Sequence, residues 1–130
     1  MMRFVKKLCT WKIIPLAWTA VTIFLLCLPG SAIPSAGVFS TEGIDKVVHA
    51  ILFGGIVLLW AFNMYFRRNE KQKWQGIIVI LTLLSVGLGI GLEFLQRDYI
   101  PNRSFDGNDI IADSIGAVLA AVYHLVVRVK

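Results

Sequence analysis

The sequence of 130 residues contains few charged side chains for its length. Charged residues make up 16% of the chain, whereas soluble domains carry about 25%. Hydrophobic residues make up 57%, and they fall into long blocks separated by short charged segments. A soluble core would show strict alternation or a 3.6-residue period instead. The shortage of charge therefore excludes a soluble globular domain and indicates a polytopic membrane protein.

Cysteine is also scarce, and its placement excludes a disulfide. Cys9 lies in a basic leader, and Cys27 lies near the far end of the first apolar block. A helix running between them would separate them by about 27 Å. A disulfide requires Cα atoms within about 7 Å of each other.

The positive charge of the chain does not indicate a nucleic-acid partner. The formal net charge is +5, but the basic residues lie beside apolar blocks and form no solvated patch with interleaved aromatic residues. They fit retention of loops in the cytoplasm and contact with anionic lipid headgroups. The lipid bilayer is therefore the expected partner, and no nucleic acid is expected.

Four apolar blocks dominate the chain, and each is close to the ~20 residues needed to cross a membrane. They run over residues 13–29, 47–66, 74–95 and 110–127. The connecting segments are too short to hold a soluble domain. The prediction is an all-α integral membrane four-helix bundle, formed as one domain over residues 1–130.

The first block has an alternative interpretation as a cleavable signal peptide. A basic segment precedes it, and Gly30-Ser31-Ala32 resembles a cleavage site. Its apolar stretch is longer than the usual ~7–15 residues of such a leader. The length favours an uncleaved membrane anchor.

The distribution of lysine and arginine predicts the orientation. With a cytoplasmic amino terminus, the inner segments hold ten basic residues: Arg3, Lys6, Lys7, Lys12, Arg67, Arg68, Lys71, Lys73, Arg128 and Lys130. The outer segments hold only Lys46, Arg97 and Arg103. Because basic loops stay in the cytoplasm, both termini are expected there.

Acidic residues show the opposite distribution. Only Glu70 lies on the predicted inner side; the outer acids are Glu42, Asp45, Glu93, Asp98, Asp106, Asp109 and Asp113. Acids contribute little to membrane orientation. Insertion therefore does not explain why they gather on one side.

Polar residues on three helices recur at helical spacing near the predicted outer face. They are Asp45, Lys46 and His49 on the second helix, Gly89, Glu93 and Gln96 on the third, and Asp106, Asp109, Asp113, Gly116 and Ala120 on the fourth. Small residues such as Gly89, Gly116 and Ala120 allow helices to approach closely. The spacing predicts packed helices that open into an acidic, histidine-containing pocket.

Burying such groups in a membrane is unfavourable unless they are paired or hydrated. An aspartate at the centre of a membrane helix costs about 2.5–3.5 kcal/mol. Glu93, Asp113 and His49 should therefore pair with one another, with Arg103 or with Lys46.

Simpler interpretations apply to some of these residues. Asp106 and Asp109 could cap the start of a helix and complement its dipole. His49 could be a buried histidine with satisfied hydrogen bonds and no further role. His124, near the inner end of the fourth helix, is expected to be interfacial and uninformative.

Four short motifs occur in order along the three polar helices. They are Asp45-Lys46-Val47-Val48-His49, Glu93-Phe94-Leu95-Gln96, Arg103-Ser104-Phe105-Asp106-Gly107-Asn108-Asp109 and Asp113-Ser114-Ile115-Gly116. Over residues 42–127 the chain resembles the VanZ-like family of bacterial membrane proteins. Asp113 stands where many relatives have asparagine, and Ala120 where many have a second glycine.

The resemblance implies a multi-pass protein of the bacterial inner membrane, linked to the cell envelope. For the namesake of the family it implies an association with resistance to glycopeptide antibiotics, teicoplanin in particular. It carries no information on a biochemical activity or on cofactors.

Two classes of function fit these residues. The first is a non-catalytic protein whose pocket binds a lipid-linked or cell-wall ligand, or a partner helix. The second is a membrane enzyme that modifies a lipid or a cell-wall precursor. In the enzyme, His49 and Glu93 would be the general acid or base. Asp109 and Asp113 would bind a cation or a cationic group of the substrate. Arg103 and Lys46 would hold an anionic group of the substrate.

An ion-coupled transporter is less favoured, because the chain shows no internal repeat. A single histidine in this region supports no metal assignment.

Overall fold

Most of the part of the chain that the structure describes is α-helical. A computed structural model describes residues 1–29, 43–67, 73–101 and 105–128. Within these ranges the chain forms no strand and five α-helices: α1 (Met2–Thr10), α2 (Ile13–Leu26), α3 (Ile44–Arg67), α4 (Trp74–Tyr99) and α5 (Gly107–Arg128). The all-α prediction is confirmed.

Three of the predicted apolar blocks form long helices. By length and composition, α3, α4 and α5 can each cross a membrane. Each extends past its apolar block at the polar end: α3 begins at Ile44, α4 continues to Tyr99, and α5 begins at Gly107. Hydropathy marks only the part of a helix that suits lipid, so these polar turns were missed.

The first apolar block forms a shorter helix than predicted. The block was expected to run over residues 13–29, whereas α2 ends at Leu26. Its 14 residues extend about 21 Å, less than the ~30 Å of a hydrocarbon core. Helix α1 precedes it, and the two segments meet at an angle of 50°. A fourth span would require both helices together.

Helix α3 lies at the centre of the packing, in contact with α1, α2, α4 and α5. Helices α3 and α5 run parallel. Lys46 pairs with Asp109 near the start of both helices, and Leu58 contacts His124 near their other end. Helix α4 runs antiparallel to them, because the Trp74 indole donates a hydrogen bond to the His124 carbonyl oxygen at that far end.

The backbones of α3 and α5 touch where small residues meet. A Cβ added to Gly54 would lie 3.0 Å from the carbonyl oxygen of Gly116. A Cβ added to Gly116 would overlap the backbone carbonyl group of Ala50. Close approach of this kind aligns the polar ends of the two helices.

The large apolar side chains divide between the core and the outer surface. Phe53, Val57 and Ile78 are fully buried between the helices. By contrast, Leu83 and Leu119 are more than half exposed. An apolar exterior of this kind is compatible with a lipid bilayer.

Helix α2 is attached to the bundle by hydrogen bonds to two other helices. The Trp18 indole donates to the carbonyl oxygen of Leu52 on α3 at 2.9 Å. The Gln96 amide on α4 donates to the carbonyl oxygen of Leu26 at 2.6 Å. The second bond satisfies the buried Gln96 amide, so the end of α2 is part of the packed structure.

Candidate functional site

The predicted polar stripes meet at one end of the helix bundle, where α3 and α5 begin and α4 ends. We use the name polar cluster for the side chains that gather there: Asp45, Lys46, His49, Glu93, Asp106, Asp109 and Asp113. Arg103 lies outside the described residues.

The Lys46 ammonium group lies among three carboxylates. Its Nζ atom is 2.7 Å from Asp45 Oδ2, 2.7 Å from Asp106 Oδ2, and also contacts Asp109 Oδ1. An ammonium group has three hydrogen-bond donors, so these contacts use all of them. Lys46 thereby links the start of α3 to the start of α5, with no donor left for an anionic ligand in this arrangement.

His49 and Asp113 form a buried pair between α3 and α5. His49 Nδ1 lies 2.8 Å from Asp113 Oδ1, and the two residues are only 5% and 1% exposed. One hydrogen bond thus joins the imidazole ring to the carboxyl group. The pair orients the imidazole ring and turns Nε2 toward Asp109 Oδ2, 3.6 Å away.

Glu93 closes the polar cluster from the side of α4. It is 1% exposed, and its Oε1 atom accepts a hydrogen bond of 2.7 Å from the backbone N–H of Asp106. One turn earlier, a Cβ added to Gly89 would lie 2.6 Å from Asp113 Oδ2. The same face of α4 therefore carries Glu93 and leaves room for the Asp113 carboxylate.

Gln96 has a different position from Glu93, the other polar residue of its motif. It is buried, and its amide donates to the last turn of α2. The structure therefore places this predicted site residue at the junction of α2 and α4, where it holds α2 in place.

Asp106 both caps α5 and pairs with Lys46. Its Oδ1 atom accepts the backbone N–H of Asn108 at 2.9 Å, which is the geometry of a helix cap. Its Oδ2 atom accepts from Lys46. The two interpretations of this residue are compatible, since each uses a different carboxylate oxygen. The Lys46 ammonium, with help from the Asn108 N–H, holds the pKa of Asp106 below its usual range.

We expect Asp106→Asn to lower stability only slightly and Asp106→Ala to lower it more. Asparagine caps a helix about as well as aspartate, whereas alanine loses about 1 kcal/mol. The partly exposed ion pair with Lys46 adds about 0–1 kcal/mol. Thermal unfolding of the two purified variants measures both losses of stability. Equal losses in the two variants would contradict the capping role.

The same pair of variants gives a pH dependence. Because the folded-state pKa of Asp106 is lowered, its contribution is present above the unfolded-state pKa of about 4. It is lost as the pH falls through the folded-state value. The Asn variant should lack this part of the acid sensitivity.

Acidic groups outnumber basic ones in the polar cluster. Five carboxylates surround one ammonium group and one imidazole. Oxygen atoms of Asp45, Asp106 and Asp109 lie within 4.8 Å of one another, a spacing that could hold a metal ion. The Lys46 ammonium occupies that position. The surplus of acid makes the polar cluster suited to a cationic group.

One buried histidine was misjudged from the sequence. His124 was expected to be interfacial, but it is 0% exposed. Its ring packs edge-on against Phe62 at 4.7 Å between centroids, and Nε2 lies 3.1 Å from the Leu58 carbonyl oxygen. The available signal was its spacing: His124 follows Ala120 by one turn, on the small-residue face of α5 that packs inward.

The sequence matches the model of a known protein family over most of its length. The model described as VanZ/LLP1 matches residues 3–128. The chain belongs to the VanZ/LLP1 family. The resemblance inferred from the four motifs is confirmed, and the match extends it to include α1 and α2. No curated protein and no solved structure matches the chain.

The polar cluster is built from the motifs by which the chain resembles the VanZ/LLP1 family. The four motifs that suggested the resemblance contribute every side chain of the cluster. The match over residues 3–128 includes Trp18, whose indole attaches α2 to α3. The sequence pattern had offered no family signal in that region.

Proposed function

We propose that this VanZ/LLP1-family protein is a single-domain membrane bundle that binds a cell-envelope ligand at its polar cluster. The observation that supports this most directly is the burial of Glu93 and Asp113, each 1% exposed, together with His49. Charged groups within membrane helices are unfavourable and mark functional sites by default. A purely structural contact could use apolar side chains of similar size with equal or better stability.

The charge of the polar cluster supports a ligand that carries an amino group. The carboxylates outnumber the basic groups, and three of them already surround the ammonium of Lys46. An ammonium group of a lipid-linked or cell-wall precursor has the same chemistry as that side chain. It would compete with Lys46 for the same oxygen atoms.

The proposed orientation places the polar cluster on the extracytoplasmic side of the bacterial inner membrane. Ten of the thirteen basic residues then lie on the cytoplasmic side, with both termini. The bundle would have four spans: α2 would form most of the first, and α1 would complete it in the headgroup layer at the cytoplasmic end. In this orientation the polar cluster would face envelope precursors on the outer side of the membrane.

We expect opposite thiol labelling at the two ends of the bundle. Cysteine is introduced at the exposed Lys73 or the exposed Tyr99, after replacement of Cys9 and Cys27 by serine. In intact cells an impermeant thiol reagent should label position 99 and leave position 73 unlabelled until the membrane is opened. The reverse pattern would place the polar cluster in the cytoplasm.

Binding of an amine-bearing ligand is tested with a matched pair of precursors. The purified protein is titrated with a lipid-linked muropeptide that has a free side-chain amine, and with its N-acetylated form. The free amine should bind at least about tenfold more tightly, since a charge-assisted hydrogen bond contributes about 1.5–3 kcal/mol. Asp45→Asn combined with Asp109→Asn should remove this preference, because these two carboxylates contact the Lys46 ammonium.

Asp98→Asn is the matched control, because Asp98 pairs with Arg97 on the exposed end of α4. It should bind both precursors as the unmodified protein does. Equal binding of the two precursors by the unmodified protein would exclude the amine as the recognised group. In cells, expression should raise resistance to teicoplanin, and the Asp109→Asn protein should not.

One observation favours a second candidate, a membrane enzyme. Asp113 holds His49 Nδ1, and Nε2 points toward Asp109, as an acid holds and orients a histidine base. This arrangement supports proton transfer to or from a bound precursor. Formation of a product from labelled lipid-linked precursors by the purified protein would distinguish the enzyme from the binding protein.

A further inference from the structure

Helix α1 separates basic and apolar side chains onto opposite faces. At 100° per residue, its basic face carries Arg3, Lys6 and Lys7, and its apolar face carries Met2, Phe4, Val5 and Leu8. With 9 residues, the helix is about 14 Å long. It is too short to cross a membrane by itself, and its two faces suit a position in the plane of the interface.

The packing of α1 leaves part of its apolar face uncovered. Leu8 lines an apolar cavity of about 100 Å³ with Ile14, Pro15, Leu59 and Phe62. On the same face of the helix, Phe4 is 65% exposed and Val5 is 48% exposed. Contact with α3 therefore accounts for Leu8 but leaves most of Phe4 and about half of Val5 exposed.

The basic face of α1 lacks acidic partners in the part of the chain that the structure describes. Arg3, Lys6 and Lys7 are exposed, and no ion pair joins them to any described carboxylate. Leu59 and Phe62 place this helix near the end of α3 that is opposite the polar cluster. Its partner must therefore supply negative charge and apolar surface together.

We infer that α1 lies in the headgroup layer at this end of the bundle and binds an acidic phospholipid. The phosphate contacts the basic face, and an acyl chain covers Phe4 and Val5 and enters the cavity beside Leu8. An acidic phospholipid supplies both kinds of surface. The 50° bend between α1 and α2 turns α1 away from the axis of α2 and toward the plane of the interface. The inference is independent of the ligand proposed for the polar cluster.

Lipid preference is tested on the full chain by native mass spectrometry. The protein is exchanged into detergent with equal amounts of phosphatidylglycerol and phosphatidylcholine, and the bound lipid is identified. The unmodified protein should retain phosphatidylglycerol. Lys6→Gln with Lys7→Gln should weaken this retention by roughly tenfold or more, since each basic residue near an anionic surface contributes strongly.

Arg67→Gln with Lys73→Gln is the control, because it removes the same charge near the same end of the bundle without altering α1. This control variant should keep most of the preference for phosphatidylglycerol. An equal loss in both double variants would overturn a specific role of α1. Retention of both lipids equally by the unmodified protein would also overturn it.

The position of α1 is tested with spin labels. Each label is attached to a single cysteine that replaces Phe4 or Lys7, after Cys9 and Cys27 have been replaced by serine. In phosphatidylglycerol-containing vesicles, a label at position 4 should be accessible to oxygen dissolved in the bilayer. A label at position 7 should be accessible to a water-soluble relaxation agent. The same accessibility at both positions would mean that α1 lies wholly in water or wholly in lipid, and would overturn the proposal in either orientation of the protein.

Discussion

Gly116→Ala is expected to destabilise the protein strongly, because the new methyl group has no space. A Cβ at this position would overlap the backbone carbonyl group of Ala50. A flexible side chain could move aside, but here helix α3 itself must shift. Overpacking in a core costs about 1–3 kcal/mol, occasionally more, and we expect a loss of at least about 2 kcal/mol. Displacement of α3 would also separate His49 from Asp113, one turn away.

Gly87→Ala is the matched control for this prediction. Gly87 lies on α4, and a Cβ there would meet no described atom within 4 Å. Alanine favours a helix over glycine by about 1 kcal/mol, so this variant should be as stable as the unmodified protein or slightly more stable. Thermal unfolding in detergent measures both. Similar behaviour of the two variants would show that α3 and α5 are not in backbone contact.

Asp113→Ala is expected to have the other large effect, because it leaves His49 buried without its partner. Removing one member of a buried pair costs about 3–5 kcal/mol. In the double variant His49→Ala with Asp113→Ala, neither group remains unsatisfied. We therefore expect the double variant to be more stable than the sum of the two single losses predicts, by about 0.5–3 kcal/mol.

Chemical denaturation of the four proteins in this cycle measures the coupling. Asp98→Ala, which breaks an exposed ion pair with Arg97, should change stability little. Strict additivity of the two single losses would mean that His49 and Asp113 do not act together. For ligand binding, Glu93→Gln combined with Asp113→Ala should be no worse than the more damaging single variant, as expected of residues that act as a unit.

Several features of the protein could be determined from the sequence alone. The shortage of charge and the apolar blocks determined the helical class and the approximate positions of α3, α4 and α5. Helical spacing also identified which polar residues share a face, such as Asp109 with Asp113 and Glu93 with Gly89. These properties are local, because they depend only on hydropathy and on the geometry of one helix. The orientation in the membrane, inferred from the basic residues, stays a prediction.

Only the tertiary structure decided how those faces meet. Gln96 shares a helix with Glu93, yet it binds the end of α2, whereas Glu93 binds the start of α5. Lys46 lies among three carboxylates, and His124 is buried. Spacing along one helix does not specify how far a neighbouring helix is rotated or shifted along its axis. Those two quantities are set by close packing between helices, as at Gly116, and they determine which polar groups come within hydrogen-bonding distance.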